Sequence, residues 1–450
     1  MKKNKLAIVI LAAGRGTRMK STKSKVLHEI GRLPMLGHVI KAAESLKPAK
    51  IIVVTGPGMD DVSLAAHPHE TVIQKSQKGT GDAVKSALPA LKNINADDVL
   101  ILYGDTPLVN AADLKTLIKT RHKTKSGICI AAMWPENPGN YGRVVLNAQG
   151  NLEKIIEAKD ATPDERQIGL CNAGFMCVDA RKISTWVNAI KNTNAQGEYY
   201  LTDLPVIAAK QKSKTAIAEI SEESAQGVND RLDLARAERL FQDRRRLEFL
   251  NAGVTMTDPA TVYFSHDTKI AADVVIEPGV VFAPGVSIES GAVIRAYSYI
   301  EGATVKKGAV IGPFARLRPG ADIGENVKIG NFVEIKKSKI GKGSKINHLA
   351  YVGDTIMGAG VNFGAGAITV NFDGFDKFQT KIEDGVMVGS NANLIAPVTL
   401  HNGAFVAAGS TVAEDVPANS LFIGRERPKI RENWAAEFRG RKRKKKENYN

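Results

Sequence analysis

Cysteine is scarce. Only Cys129, Cys171 and Cys177 occur in 450 residues, too few for a disulfide framework. Each lies in or beside an apolar run, so all three read as small core side chains suited to a reducing compartment. Long apolar runs are missing as well. No stretch of about 18 uncharged apolar residues exists, so no membrane-spanning helix is expected. The start, MKKNKLAIVI, sets basic residues before an apolar run. That run is short and flows into Gly14-Arg15-Gly16-Thr17-Arg18 rather than a small-residue cleavage site, so no signal peptide is expected and the location expected is cytoplasmic.

Acidic residues are outnumbered, 47 against 62 basic ones, for a net charge of +15. Much of the excess is local. Arg439, Arg441, Lys442, Arg443, Lys444, Lys445 and Lys446, less Glu447, put +6 into the last twelve residues and leave +9 for the other 438. Such a block reads as a solvated, disordered end. The remainder suits phosphorylated substrates. No basic stripe interleaves with aromatics as single-strand binding requires, so neither nucleic acid nor membrane is expected as a partner.

At this length two or three domains are expected, and the chain changes grammar partway. Residues 1–231 read as α/β. Short apolar strands recur at Leu6–Leu11, Ile51–Thr55, Val99–Leu102 and Ile128–Met133. Helical patterns lie between several of them, as at His38–Leu46 and Asp113–His122, which argues a mainly parallel sheet with helices on its faces. Ligands of such sheets bind at the carboxyl ends of strands. Residues 232–252 contain neither Gly nor Pro and read as a linking helix.

From 253 to 450 a six-residue period takes over. Ile270, Ile276, Phe282, Ile288, Ile294 and Ile300 are spaced by six, as are Ile311, Leu317, Ile323, Ile329 and Ile335. Further runs carry Ile340, Ile346 and Val352, then Met357 and Phe363, then Ile382, Val388, Leu394, Leu400, Val406 and Val412. Each hexad supplies a short strand and a corner, and the aliphatic residue points inward: a solenoid. The phase breaks between Phe363 and Ile382, where residues 371–381 (NFDGFDKFQTK) read as an inserted loop on the functional face.

The string Leu11-Ala12-Ala13-Gly14-Arg15-Gly16-Thr17-Arg18-Met19 directly follows an apolar strand. Glycines let a backbone approach phosphate oxygens, exposed amides donate to them, and Arg18 and Lys25 can neutralise their charge. This string resembles the signature loop of the sugar-nucleotide pyrophosphorylases. Gln74, Gly79-Thr80-Gly81, Tyr103-Gly104-Asp105, Tyr141-Gly142-Arg143 and Asn172-Ala173-Gly174 follow in the order that family has. The six-residue period resembles the hexapeptide-repeat acyltransferases, whose fold is a left-handed parallel β-helix. With residues 195–203 (AQGEYYLTD) and 227–231 (GVNDR), the chain resembles the bacterial bifunctional N-acetylglucosamine-1-phosphate uridylyltransferases/glucosamine-1-phosphate acetyltransferases. The resemblance covers all but the basic tail.

It implies a Rossmann-like nucleotidyltransferase domain followed by the β-helix, acting on UTP, glucosamine-1-phosphate and acetyl-CoA to make UDP-N-acetylglucosamine. It implies that Leu11, Ala12, Ala13, Gly14, Arg18 and Lys25 hold the nucleotide and that Gln74, Gly79 and Thr80 read uracil. Tyr103 and Gly104 then line the same site, while Gly142, Glu157 and Asn172 hold the sugar. Asp105 and Asn229 would bind Mg²⁺, a hard cation with oxygen ligands. For the second reaction it implies His348 as general base. Arg318 and Lys336 would grip the sugar phosphate, helped by Tyr351, Asn362 and Lys377. Ala365, Asn371, Phe372, Ser390, Ala408 and Arg425 would hold acetyl-CoA. A β-helix has no inner cavity, so this site is expected in grooves between prisms of a homotrimer. Two departures stand out. Thr22-Lys23-Ser24 replaces the family's usual Leu-Pro before Lys25, and Phe372 stands where tyrosine is usual. The rival readings are a one-headed nucleotidyltransferase whose solenoid only oligomerises and, from the tail alone, a nucleic-acid binder. Arg318, Lys336, His348, Asn371 and Lys377 discriminate against the first, since a structural solenoid has no need of them.

Overall fold

A computed structural model describes residues 5–447 except 93, 149, 195 and 427, and the side chains of 444–447 are not described. The chain divides into two compact units. The first holds residues 1–248 and 264–266, the second 249–263 and 267–450.

The first unit is built on a twisted sheet. In chain order its path strands are β1 (Leu6–Leu11), β2 (Lys50–Thr55), β3 (Glu70–Ile73), β4 (Asp98–Tyr103), β5 (Ile128–Met133), β6 (Cys171–Asp179) and β7 (Thr215–Glu219), lying side by side as β7-β5-β6-β4-β1-β2-β3. Every residue of β1 is buried because both faces of the sheet are covered. Leu6, Ile8 and Ile10 join one apolar cluster while Ala7, Val9 and Leu11 join the other. The expected parallel order is interrupted by one strand. β6 runs antiparallel to both neighbours, with Met176 opposite Ile101 and Cys177 opposite Cys129. The helices flanking the sheet include α1 (Met35–Glu44), α2 (Thr80–Lys92) and α3 (Ala111–Thr124). α3 is capped by the Asn110 side chain, which accepts from the Asp113 amide. The three cysteines are buried and free.

The helix expected to link the halves is α4 (Arg231–Asn251). Ala237 and Phe241 pack with Ile30, Met35 and Val228, and Glu238 accepts from the Gly31 amide at 2.8 Å, so up to Glu248 it is part of the first unit.

The second unit is a three-sided parallel β-helix. Its faces carry ten, nine and eight short strands among the described residues. The hexad residues fill its axis, and all but the half-buried Ile270 are buried. The phase break is smaller than the sequence suggested. Thr369, buried and paired opposite Leu394, takes the inward place six residues after Phe363. The true insertion is 371–379, after which Thr380–Ile382 rejoins the stack beneath Thr355–Met357. Threonine hid this hexad because its hydroxyl looks polar in sequence. Inside, that hydroxyl accepts from the Gly353 amide at 2.8 Å. The basic block also departs from the disordered end expected of it, because Trp434–Glu447 forms a helix, α5. Lysine, arginine and alanine are good helix formers. The Trp434 and Phe438 rings, one turn apart, stack at 5.1 Å, and the Lys442 amine lies 5.6 Å from the Phe438 centroid. Ala195, first residue of the 195–203 string, and residues 448–450 lie outside the described residues.

Candidate active sites

In the first unit the loops after β1, β3 and β4 enclose a cleft of about 560 Å³ at the carboxyl ends of the strands. Leu11, Ala12, Ala13, Gly14, Lys25, Gln74, Gly79, Thr80, Tyr103 and Asp105 line it. Gly14 faces open space, so its backbone is bare to the cleft. Gly79 has φ +97°, and a Cβ there would lie 2.8 Å from the Tyr199 carbonyl, so only glycine fits. Gly104 is not a lining residue. It lies under the loop, where a Cβ would meet that of Ala12 at 3.2 Å.

The cleft floor is electrostatically organised. Lys25 forms an ion pair with Asp105, so the altered residues before Lys25 still deliver its amine to the site. Arg18 donates to Asn229 Oδ1 at 2.9 Å. The Val228 amide donates to the Asp105 carbonyl at 2.9 Å, which brings Asn229 alongside Asp105 across 124 residues of chain. Gln74 donates both amide hydrogens, to the Gly79 carbonyl at 2.9 Å and to Asp82 at 2.8 Å. Because a carboxylate only accepts, this orientation leaves Gln74 Oε1 as the acceptor offered to a ligand. Burial alone would raise the Asp82 pKa. Hydrogen bonds from Gln74, Ser76 and the Lys78 amide outweigh it and hold the carboxyl below its ordinary range.

Gly142, Glu157 and Asn172 gather beside Tyr103, outside the residues that line the cleft. The Asn172 amide donates to the Gly142 carbonyl at 2.8 Å, and Asn172 Oδ1 accepts from the Gly174 amide. A Cβ on Gly142 would stand 3.7 Å from Glu157 Oε2. Burial, with Asp160 and Asp203 nearby, raises the Glu157 pKa despite the hydrogen bond from Thr202. Burial first, then Glu157 and Asp105, push the Tyr103 hydroxyl well above its ordinary range, so it stays protonated.

On the β-helix the register sets the geometry. Asn331 pairs directly with His348 on the next coil. The same corner carries Ala365, Ser390 and Ala408 on the following coils, because Lys345 pairs with Asn362, Asn362 with Met387 and Met387 with Phe405. Neighbouring coils are about 4.8 Å apart, so these residues form one straight column with His348 near its head. Arg425 lies one residue beyond the column on the last coil, and Asn362 lies three residues before Ala365 on its coil.

The cations form a separate cluster. Arg318 is braced by Glu334 at 2.8 Å. The Lys377 amine and then Arg318 hold the Lys336 pKa below the ordinary lysine range, with Asp354 opposing them. Lys377 reaches there because the 371–379 loop folds back on itself, with Phe372 bridged to Lys377 and Asp373 accepting from the Phe375 and Asp376 amides. Asn371 is buried at the loop's base, donating to Asp354, while Phe372 is exposed. Tyr351, opposite Glu334 in register, lays its hydroxyl over Gly353. Among the described residues no hydrogen bond or ion pair joins His348 to this cluster. Lys336 pairs with Gly353, five residues and one corner beyond His348, so the two stand at opposite edges of a face.

Several residues with structural parts in these sites were given no role from the sequence: Gln77, which accepts from Arg15 and donates to the Ala13 carbonyl, and Asp82, Thr202, Asn331 and Glu334. Each acts by bracing another side chain. Among the described residues no group of three or more His, Cys, Asp or Glu could hold a metal, and no helix is long and apolar enough to cross a membrane.

Comparison with known proteins agrees with both halves. Residues 8–170 match the MobA-like NTP transferase domain. Residues 267–302, 302–337 and 379–414 match the bacterial transferase hexapeptide (six repeats), the repeat of the left-handed parallel β-helix. The bifunctional protein GlmU of Paramagnetospirillum magneticum is 45% identical over 447 residues, 99% of both chains. That of Zymomonas mobilis is 44% identical, covering 97% of this chain and 98% of its own. That of Geobacillus thermodenitrificans is 42% identical, over 96% and 98%.

Proposed function

The chain belongs to the family of bifunctional GlmU proteins, and on that premise we propose how its residues divide two reactions between its two units. The enzyme acetylates glucosamine-1-phosphate with acetyl-CoA, then transfers UMP from UTP to the product, giving UDP-N-acetylglucosamine and pyrophosphate. It is not a one-headed nucleotidyltransferase with an inert solenoid.

The first unit carries uridylyl transfer. A phosphate oxygen of N-acetylglucosamine-1-phosphate attacks the α-phosphorus of UTP in line, and pyrophosphate leaves. Both reactants are anions, so positioning and charge neutralisation carry the catalysis. The bare backbone from Leu11 to Gly14 receives the nucleotide, and Lys25 and Arg18 meet its phosphates. Gln74 Oε1 accepts the imide N–H that uracil has and cytosine lacks, beside the Gly79–Thr80 backbone. Tyr103, kept protonated, donates. Glu157, with one oxygen held by Thr202, turns its other oxygen to the sugar between Gly142 and Asn172. Family membership brings a divalent metal, and Mg²⁺ is the ion proposed. The Asp105 carboxylate and Asn229 carboxamide fit it, because two hard oxygens leave the remaining positions to water and phosphate. Bound there, the ion would neutralise charge developing on the phosphates.

The second unit carries acetyl transfer. The cations Arg318, Lys336 and Lys377 hold the sugar phosphate, with Tyr351 and Asn362 on the sugar. His348 accepts the amine's proton, since only the neutral amine attacks a thioester. Acetyl-CoA runs down the column through Ala365, Ser390 and Ala408 towards Arg425, and Asn371 and Phe372, at the cation edge, meet it from a neighbouring copy. Phe372 can stack but has no hydroxyl to give.

A homotrimer completes this site. Base and cations at opposite edges of one face suit a groove between two copies. Beside the column runs a ladder of exposed apolar side chains, Tyr297, Phe314, Phe332 and Leu349, with rings stacked at 5.2 and 5.4 Å. A second copy would cover it. The location proposed is cytoplasmic, in keeping with three free, buried thiols.

The observation that carries the two-headed reading is the His348 column on one chain with the Lys25–Asp105 cleft. Incubation with glucosamine-1-phosphate, acetyl-CoA, UTP and Mg²⁺ tests it. UDP-N-acetylglucosamine and free CoA thiol are expected together. Product only when N-acetylglucosamine-1-phosphate is supplied, with no CoA release, would contradict it.

A further inference from the structure

A histidine can act as base through Nε2 only if its other nitrogen carries the proton. On a solvent-facing corner nothing intrinsic selects that tautomer. Here the Asn331 carboxamide lies 2.8 Å from His348 Nδ1, oxygen towards the ring. An oxygen there accepts, so Nδ1 is the protonated nitrogen and the Nε2 lone pair is left for the substrate amine. The contact is built into the fold. Asn331 and His348 are register partners, and the Leu349 amide donates to the Asn331 carbonyl at 3.0 Å. A Cβ at neighbouring Gly330 would lie 1.9 Å from the Asn347 carbonyl oxygen, so glycine there lets the two coils close on each other. We propose that Asn331 is a positioning residue for acetyl transfer, fixing the tautomer and orientation of the His348 imidazole. This rests on His348 being the base. As the imidazole becomes imidazolium, the Asn331 oxygen goes on accepting from Nδ1–H, so the bond strengthens along the reaction.

Three variants test it. Asn331→Ala leaves Nδ1 unpartnered, and kcat for acetyl transfer should fall roughly 10-fold, about one hydrogen bond's worth, with KM for glucosamine-1-phosphate unchanged. Asn331→Asp still accepts from Nδ1 but adds a negative charge that favours imidazolium. Its rate should fall at neutral pH and recover at higher pH, with the acidic limb of the pH profile displaced upward. In a His348→Ala background, Asn331→Ala should cost nothing further. The calorimetric unfolding transition of the second unit, measured on every variant, reports its folding. An unchanged kcat in Asn331→Ala would overturn the proposal. So would a rise in KM alone, an undisplaced profile in Asn331→Asp, or an equal loss with and without His348. His348→Ala retaining full acetyl transfer would instead reject the base assignment beneath it.

Discussion

The two units build their sites by opposite means. The first unit gathers side chains from Leu11 to Asn229 onto one cleft, and no single stretch of chain holds it. The Lys25–Asp105 pair and the Val228–Asp105 backbone bond tie together loops that are remote in sequence. The second unit lines its residues up by repetition. From Asn331 through His348, Ala365 and Ser390 to Ala408 the column steps by 17, 17, 25 and 18 residues, and the one long step is the inserted loop. A cleft of the first kind fails as a whole when its charge balance is upset. A column of the second kind fails link by link, because each coil touches only its neighbours.

That contrast can be broken by substitution. The largest effect is expected at His348. His348→Ala should lower acetyl transfer by about 10²–10⁴-fold, the usual loss of a general base, with uridylyl transfer untouched when each half-reaction is assayed. Next comes Lys25→Ala, which removes a phosphate partner and leaves Asp105 unpaired. Uridylyl transfer should fall by about 10²–10³-fold while CoA release continues at the wild-type rate. Ile335→Ala removes a fully buried hexad residue. Calorimetry should show the second unit destabilised by about 2–5 kcal/mol and uridylyl transfer at ordinary temperature unchanged. The smallest effect is expected at Glu157. Its pKa is raised in the fold, so its contribution to stability is full below the ordinary glutamate range and is lost as pH rises through the raised value. Glu157→Gln should therefore raise the melting temperature of the first unit at neutral pH. That gain should vanish in acid below the ordinary glutamate range, and a gain persisting there would mean the ionised carboxylate is not the cause.

How legible each unit was follows from the same contrast. The strand Leu6–Leu11 and the hexads from Ile270 to Val412 were readable because burial writes itself as hydropathy. The direction of Cys171–Asp179 was not, since an apolar strand reads the same whichever way it runs. Thr369 escaped because its polarity is satisfied only inside the coil. The helix at Trp434–Glu447 escaped because charge density argued against order, while one-turn contacts from Trp434 to Phe438 to Lys442 favoured it. In the sites, residues that face ligand sit in recognisable strings. The side chains that brace them, Asp82 on Gln74, Thr202 on Glu157 and Asn331 on His348, act across space, and no local string says which side chain each one holds.

The central claim is that two independent active sites share this chain. Asp105→Ala tests it most directly, with both half-reactions measured on the same folded preparation. The predicted result is loss of uridylyl transfer with acetyl transfer at the wild-type rate. Equal loss of both activities in a folded protein would contradict it.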